Sequence, residues 1–266
     1  MKYYVVDVFT DKVFGGNPAG VCLLDEWQPD ETLQNIAMEN NLSETAFLVK
    51  RGGHYDLRWF TPVLEIDLCG HATMGSAFIL FSFVETDANI LEFHTQSGIL
   101  TVRQEGDMLW MDFPSRPAVP VQQYKSIAKA FGIESFEMHK SADLLVVLDS
   151  EETLLRMQPD FEILKGAKEE AEMPGDNFGI IITAPGNDCD FVSRFFAPNC
   201  GVDEDPVTGR AHCVLIPYWS KRLGKTSMTA RQLSKRRGRI WCEDAGERVN
   251  IGGKAVLYMS GEIELL

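Results

Sequence analysis

Positive charge is scarce in this chain: 25 Lys and Arg stand against 39 Asp and Glu, a net charge of −14. Nucleic-acid binding rests on basic patches, so that class of partner is not expected. Long apolar runs are missing too. The longest, residues 77–84, is far too short to span a bilayer. Residues 3–9 lack the basic start and apolar core of a signal peptide. Cys22, Cys69, Cys189, Cys200, Cys213 and Cys242 form no CxxC pair, which points to reduced thiols and a cytoplasmic protein. His54, His71, His94, His139 and His212 show no HxxxH spacing, so no metal is expected. There is no GxGxxG after a strand and no Walker sequence, so no nucleotide cofactor is implied. Gly-x-Ser-x-Gly is also missing, which leaves a serine nucleophile unsupported.

What the chain does have is an internal echo. Residues 194–213 read Arg-Phe-Phe-Ala-Pro-Asn-Cys-Gly-Val-Asp-Glu-Asp-Pro-Val-Thr-Gly-Arg-Ala-His-Cys. Arg58-x-Phe60-x-Pro62 recurs there as Arg194-x-Phe196-x-Pro198, and Gly70-His71-Ala72-Thr73 recurs as Gly209-Arg210-Ala211-His212. Acids precede the Gly in both copies: Glu65 and Asp67 in one, Asp203, Glu204 and Asp205 in the other. Each copy then enters an apolar, helix-like segment. Such a repeat implies two related halves, and 266 residues suffice for two domains. A helix start leaves backbone N–H groups unpaired and carries the positive end of the helix dipole, so each copy offers a place for a carboxylate or phosphate. An ordinary capped helix start accounts for either copy taken alone.

The elements repeat in the same order. Strand-like residues 3–10, 20–24, 45–50 and 55–60 lead to a helix at 71–84, apolar around most of its circumference, and then to strands at 90–95, 98–105 and 108–113. Pro114, Pro117 and Pro120 mark the domain boundary. Strands at 143–148, 178–183 and 190–196 then precede a helix at 211–223, with Pro217 inside it as a candidate kink. Four strand-like runs follow. The expected fold is α+β: two pseudo-symmetric lobes, each a curved, mostly antiparallel sheet wrapped around a central helix. The first lobe is expected at residues 1–117 and the second at 118–266, with the last strand able to cross to the first lobe.

Glu44 lies between a helix end and the apolar strand Ala46-Phe47-Leu48-Val49. A carboxyl at the rim of a hydrophobic core suits a proton shuttle, although a solvated turn acid is the simpler expectation. His71 follows Gly70 at a helix start, where a neutral imidazole can bind a substrate carboxylate, meet a neighbouring acid or merely cap the helix. Asp205 can pair with His71 across a cleft or cap the second helix. His212 is read as packed or capping. Cys69 and Cys213 sit beside helix starts, a setting that acidifies thiols. A two-base racemase needs a matched thiol in each half, and the slot that answers Cys69 holds Thr208.

Four motifs resemble the phenazine-biosynthesis PhzF-like family: Asn17-Pro18-Ala19-Gly20, residues 41–47 (Asn-Leu-Ser-Glu-Thr-Ala-Phe), residues 67–73 (Asp-Leu-Cys-Gly-His-Ala-Thr) and residues 204–209 (Glu-Asp-Pro-Val-Thr-Gly). The resemblance spans essentially the whole chain. It implies a diaminopimelate epimerase-like fold with the active site between two barrel-like lobes. It also implies a cofactor-independent isomerase in which the residue matching Glu44 is the general acid/base on a small carboxylated substrate. By the same resemblance His71 and Asp205 belong to the catalytic set, Gly70, Ala72, Thr73 and Gly209 bind substrate, and the protein is a homodimer; Arg210, at the second helix start, is a further substrate-binding candidate. The family's usual Gly-Ser-Ala-His is Gly209-Arg210-Ala211-His212 here. That Arg can pair with an acidic substrate, fill part of the pocket or point to solvent. A thiol-dependent epimerase or racemase using Cys69, and a non-catalytic carboxylate-binding module, stand as alternatives.

Overall fold

The computed structural model describes residues 1–172 and 178–265. The chain forms two compact units, Met1–Asp112 with Asn250–Leu266, and Phe113–Val249. It leaves the first unit within a strand, ahead of the proline-rich stretch.

In the first unit, β1 (Lys2–Val8) pairs antiparallel with β2 (Asn17–Leu24). Helix α1 (Asp30–Asn40) then carries the chain over to β3 (Glu44–Arg51), parallel to β2. The crossover explains why β2 and β3 read as continuous apolar runs, since both of their faces are covered. Asp30 is the first helical residue, and Pro29 holds the N-cap position. β4 (His54–Phe60) pairs antiparallel with β3 and with the two-residue β5 (Glu65–Ile66). Helix α2 (Gly70–Phe83) follows, and a second parallel crossover brings β6 (Ile90–Thr95) beside β4. β7 (Gly98–Glu105) and β8 (Met108–Pro114) complete an antiparallel meander.

Helix α2 is the organising element of this unit. Ten of its residues, from His71 to Phe81, are buried, and it packs on β1, β2 and β3. Each fully buried Leu, Ile or Met contributes about 1.5–3 kcal/mol relative to exposure. Gly75 permits the close approach to the sheet: a Cβ there would sit 3.3 Å from Val8 Cγ2 and 3.7 Å from Ala19 Cβ.

The second unit repeats this order. The two-residue β9 (Val119–Pro120) and the helix α3 (Lys125–Phe131) precede β10 (Glu137–Lys140), which pairs antiparallel with β11 (Leu144–Val147). Three short helices, α4 (Glu151–Arg156), α5 (Phe161–Lys165) and α6 (Ala167–Ala171), lie on the way to β12 (Ile180–Pro185), parallel to β11. β13 (Phe191–Ala197) pairs antiparallel with β12 and with β14 (Val202–Asp205). Helix α7 (Gly209–Leu223) crosses over to β15 (Ser227–Gln232), parallel to β13, and β16 (Gly238–Asp244) returns antiparallel. Pairing by pairing, β10 to β16 restate β1 to β7.

Pro217 does not end α7. A proline removes the N–H that would reach the carbonyl four residues back, here that of Cys213. That oxygen accepts the backbone N–H of Arg116 at 2.9 Å instead.

β17 (Arg248–Gly253) returns the chain to the first unit, where β18 (Ala255–Glu262) pairs antiparallel with β1 from Lys2↔Glu262 to Val8↔Ala255. The architecture is α+β, with two similar lobes, each a mostly antiparallel sheet around a central helix. Among the described residues no helix is long and apolar enough to cross a membrane.

Candidate active site

The repeated Arg-x-Phe-x-Pro motif builds the same brace twice. Arg58 donates Nε and Nη2 to Glu65 at 2.7 and 2.8 Å, with its guanidinium 5.1 Å from the Phe60 ring centre. Arg194 donates Nε and Nη2 to Glu204 at 2.7 and 3.0 Å, and lies 4.9 Å from the Phe196 ring centre. These bidentate pairs tie β4 to β5 and β13 to β14 just before each helix start, where a planar guanidinium fork is more specific than a lysine. Glu65 and Glu204, not their acidic neighbours, are the equivalent acids.

Both helix starts are built alike. Cys69 and Thr208 hold the N-cap positions in extended backbone, neither supplies a side-chain cap, and neither helix has an acid in its first turn. The residue four places on bonds back to the N-cap carbonyl in each: Thr73 Oγ1 donates to Cys69 at 2.6 Å, and His212 Nδ1 donates to Thr208 at 2.8 Å. Thr73 also gives its backbone N–H to Cys69, so both of its donors serve the helix. Ala72 and Thr73 are fully buried. His212 is a packed residue, pushed down to about 4 by burial and therefore neutral.

The first unit places Glu44 against α2. Glu44 opens β3 in register with Ala19, and its Oε2 lies 3.1 Å from His71 Nε2, with the side chains 18% and 8% exposed. The ring N–H is not aligned on the carboxylate, and Glu44 Oε2 and His71 Nε2 are both buried without a hydrogen-bond partner in the structure. On the other side of the ring, Nδ1 lies 3.5 Å from Cys69 Sγ and 3.4 Å from Asn17 Nδ2. Burial opposes a charged imidazolium here, but the adjacent Glu44 carboxylate lifts His71 above the usual histidine value. The neutral imidazole expected from position alone is replaced by one held protonated beside its acid. Burial, with Glu44 adding to it, raises the Cys69 thiol, so Cys69 stays neutral in spite of its helix start. Cys213 is likewise pushed up to about 11 by burial.

Glu44, Cys69 and His71 each offer a ligand atom within 4.8 Å of the others, so they form a set able to hold a metal ion. A metal would have to displace the thiol proton that burial retains, and acid–base use of Glu44 and His71 needs no such step.

Because His71 binds its proton more tightly folded than unfolded, its stabilising contribution is complete below the unfolded value, about 6.5, and fades as pH rises through the higher folded value. The difference in unfolding free energy between wild type and His71→Asn should therefore shrink as pH climbs above neutrality. Denaturant titrations showing a constant difference across that range would contradict the ion pair.

In the second unit Asp205 accepts the hydroxyl of Thr208, and Gln232 donates to the Asp205 carbonyl at 2.8 Å. Thr208, not Asp205, takes the N-cap position. Arg210 follows Gly209 as His71 follows Gly70, and it too faces a carboxylate. Its Nε and Nη2 donate to Asp143 at 2.9 and 2.7 Å, with Asp143 fully buried and Arg210 30% exposed. Register makes the comparison exact. Thr45 pairs with Phe60 and Ile180 with Phe196, so Gly179 holds the place of Glu44; likewise Asp143 holds that of Ala19. A Cβ at Gly179 would fall 2.1 Å from the Phe195 ring, which leaves no room for an acid there. Asp143, one strand over, supplies the carboxylate and also accepts the Gly179 N–H at 2.7 Å. Sequence reasoning missed Asp143; the one signal for it was an Arg at the helix start in need of a partner.

The fold is one that epimerases share. A predicted epimerase from Pseudomonas aeruginosa, 19% identical, matches with a TM-score of 0.78 over 100% of this chain and 99% of that one, a likeness of fold alone. A PhzF-family phenazine biosynthesis protein from Enterococcus faecalis, solved by crystallography, is 46% identical with a TM-score of 0.94 over 99% of each chain. An uncharacterized isomerase of Pseudomonas aeruginosa is 51% identical over 265 residues, 100% of this chain and 99% of that protein. Together these define an enzyme of the isomerase class. Residues 6–261 match the PhzC-PhzF family of phenazine biosynthesis-like proteins, and the chain belongs to that family.

Proposed function

We propose that the protein is a cofactor-independent isomerase in which Glu44 removes a proton from carbon on a small carboxylated metabolite and returns it elsewhere on the same molecule. The observation that carries this reading is the buried Glu44–His71 pair, 3.1 Å apart and lacking aligned partners. A desolvated carboxylate beside a protonated imidazole can accept a proton while the imidazolium offsets the charge that develops. The uncapped start of α2 at Gly70, His71 and Ala72 supplies N–H groups for the substrate carboxylate. Asp205 enters the catalytic set and Gly209 the substrate set through the family resemblance, as does a homodimer; Arg210 is a substrate-set candidate by its place at the second helix start, and a cytoplasmic setting rests on the scattered cysteines.

The test is deuterium wash-in from heavy water, read by NMR, across a panel of small amino and hydroxy acids and dihydro-hydroxyanthranilate. Label on carbon with wild type and none with Glu44→Gln is the expected result. Ligand-induced thermal stabilisation with no label on any panel member would favour a non-catalytic carboxylate-binding module.

The thiol-dependent alternative is weakened by the protonated, buried Cys69. Cys69→Ala is expected to retain most of the turnover, and alkylating reagents to act slowly on the wild type at this position. Loss of activity in Cys69→Ala with the fold intact by circular dichroism would reverse that order.

A further inference from the structure

A second cluster of chemistry-bearing side chains lies in the first unit, on the sheet formed by β4 and β6. These strands meet in the parallel register pairs Tyr55↔Phe93 and Asp56↔His94. Strand alternation sends Tyr55 and Phe93 into the core, so Asp56 and His94 stand on the opposite face, with His54 and Glu92 two residues before them. The rings of His54 and His94 stack with centroids 3.7 Å apart and planes 15° from parallel. His54 Nε2 lies 3.6 Å from Asp56 Oδ1, and His94 Nε2 lies 2.6 Å from Glu92 Oε1. Arg51, opposite His54 across β3, donates Nε to the other Asp56 oxygen, Oδ2, at 3.1 Å.

We propose that His54, Asp56 and His94 form a binding site for a divalent transition-metal ion, with zinc the best match. Each offers a ligand atom within 4.8 Å of the other two. Two imidazoles and one carboxylate are a donor set that suits zinc and its borderline neighbours, not the oxygen-seeking magnesium or calcium. Arg51 fixes the Asp56 carboxylate through one oxygen and leaves the other turned toward the histidines, as partners behind a metal ligand do. Glu92 stands beside His94 as a further oxygen donor or as the group that orients the ring. The side chains of His54, Asp56 and His94 are 31%, 32% and 38% exposed, so an ion can enter and water can complete its coordination.

The consequence is structural. β4 and β6 share only those two register pairs, and the segment between them includes β5 and all of α2. An ion held by ligands from both strands clamps the closure of the loop that carries His71. It also raises stability by mass action, because the unfolded chain has no such site.

The experiment is calorimetric titration of chelator-treated protein with a zinc salt near neutral pH, paired with thermal melts. Wild type should bind zinc with a rise in melting midpoint. His54→Ala and His94→Ala should each bind at least about tenfold more weakly and lose that rise. Cys69→Ser should titrate as wild type does, which separates this site from the Glu44, Cys69 and His71 set. Wild-type affinity in both histidine variants, absence of zinc binding by the wild type, or loss of binding in Cys69→Ser would each overturn the proposal.

Discussion

Glu44→Gln should lower turnover by about 10²–10⁴-fold, the usual contribution of a positioned general acid or base, and leave the fold intact. The substitution keeps the size of the side chain and its hydrogen-bonding capacity, and it removes the basicity. Its second effect separates chemistry from mere packing. Glu44 is the charged neighbour that holds His71 protonated against burial, so with the carboxylate gone the His71 titration should move down, which NMR of the ring protons can follow. A variant that lost activity while His71 titrated unchanged would mean that the 3.1 Å pair does not operate in solution. Full activity in Glu44→Gln would remove Glu44 from the mechanism altogether.

Asp143→Ala should strongly destabilise the second unit. It takes the fully buried carboxylate away from the Arg210 guanidinium and from the Gly179 N–H. Breaking a buried ion pair from one side costs about 3–5 kcal/mol; with Arg210 30% exposed, water can reach it and the lower end applies. At about 2–4 °C per kcal/mol for a chain of this size, the melting midpoint should fall by roughly 6–12 °C. Pairing the change with Arg210→Met removes the positive charge as well, so the double variant should be more stable than Asp143→Ala alone. If the two losses simply add, Arg210 does not depend on Asp143, and its place in the substrate set gains support.

How much of this was legible depended on where each interaction lies in the chain. The duplication was visible because Arg-x-Phe-x-Pro and the Gly turns are local patterns, and α2 and the long strands declared themselves by periodicity. β5 and β10, two and four residues long, carry too little pattern to be read. The parallel crossovers β2–β3 and β11–β12 were likewise hidden, because pairing partners are not written in either strand. Arg210 was recognised as a departure, yet its choice among substrate, pocket and solvent could not be made. Its partner Asp143 lies 67 residues away in sequence and is identified only by register. The histidine cluster escaped for the same reason: metal ligands were sought at helical spacing, whereas His54 and Asp56 follow strand spacing and His94 comes from another strand. For Cys69 a local rule, acidity at a helix start, was overridden by burial that only the fold reveals.

The pairing of β18 with β1 sets an order of events during synthesis. The first unit is not complete until residues 250–262 have been made, because its opening strand takes β18 as a partner. The amino group of Met1 is bound to Ile263, and the Ile263 N–H to Met1. The second unit runs from Phe113 to Val249, so its closure does not depend on β18. Domains made first usually fold first. Here the half bearing Glu44 and His71 must wait until β18 has been made, and until then β1 presents an open edge of the kind that nascent-chain chaperones shield.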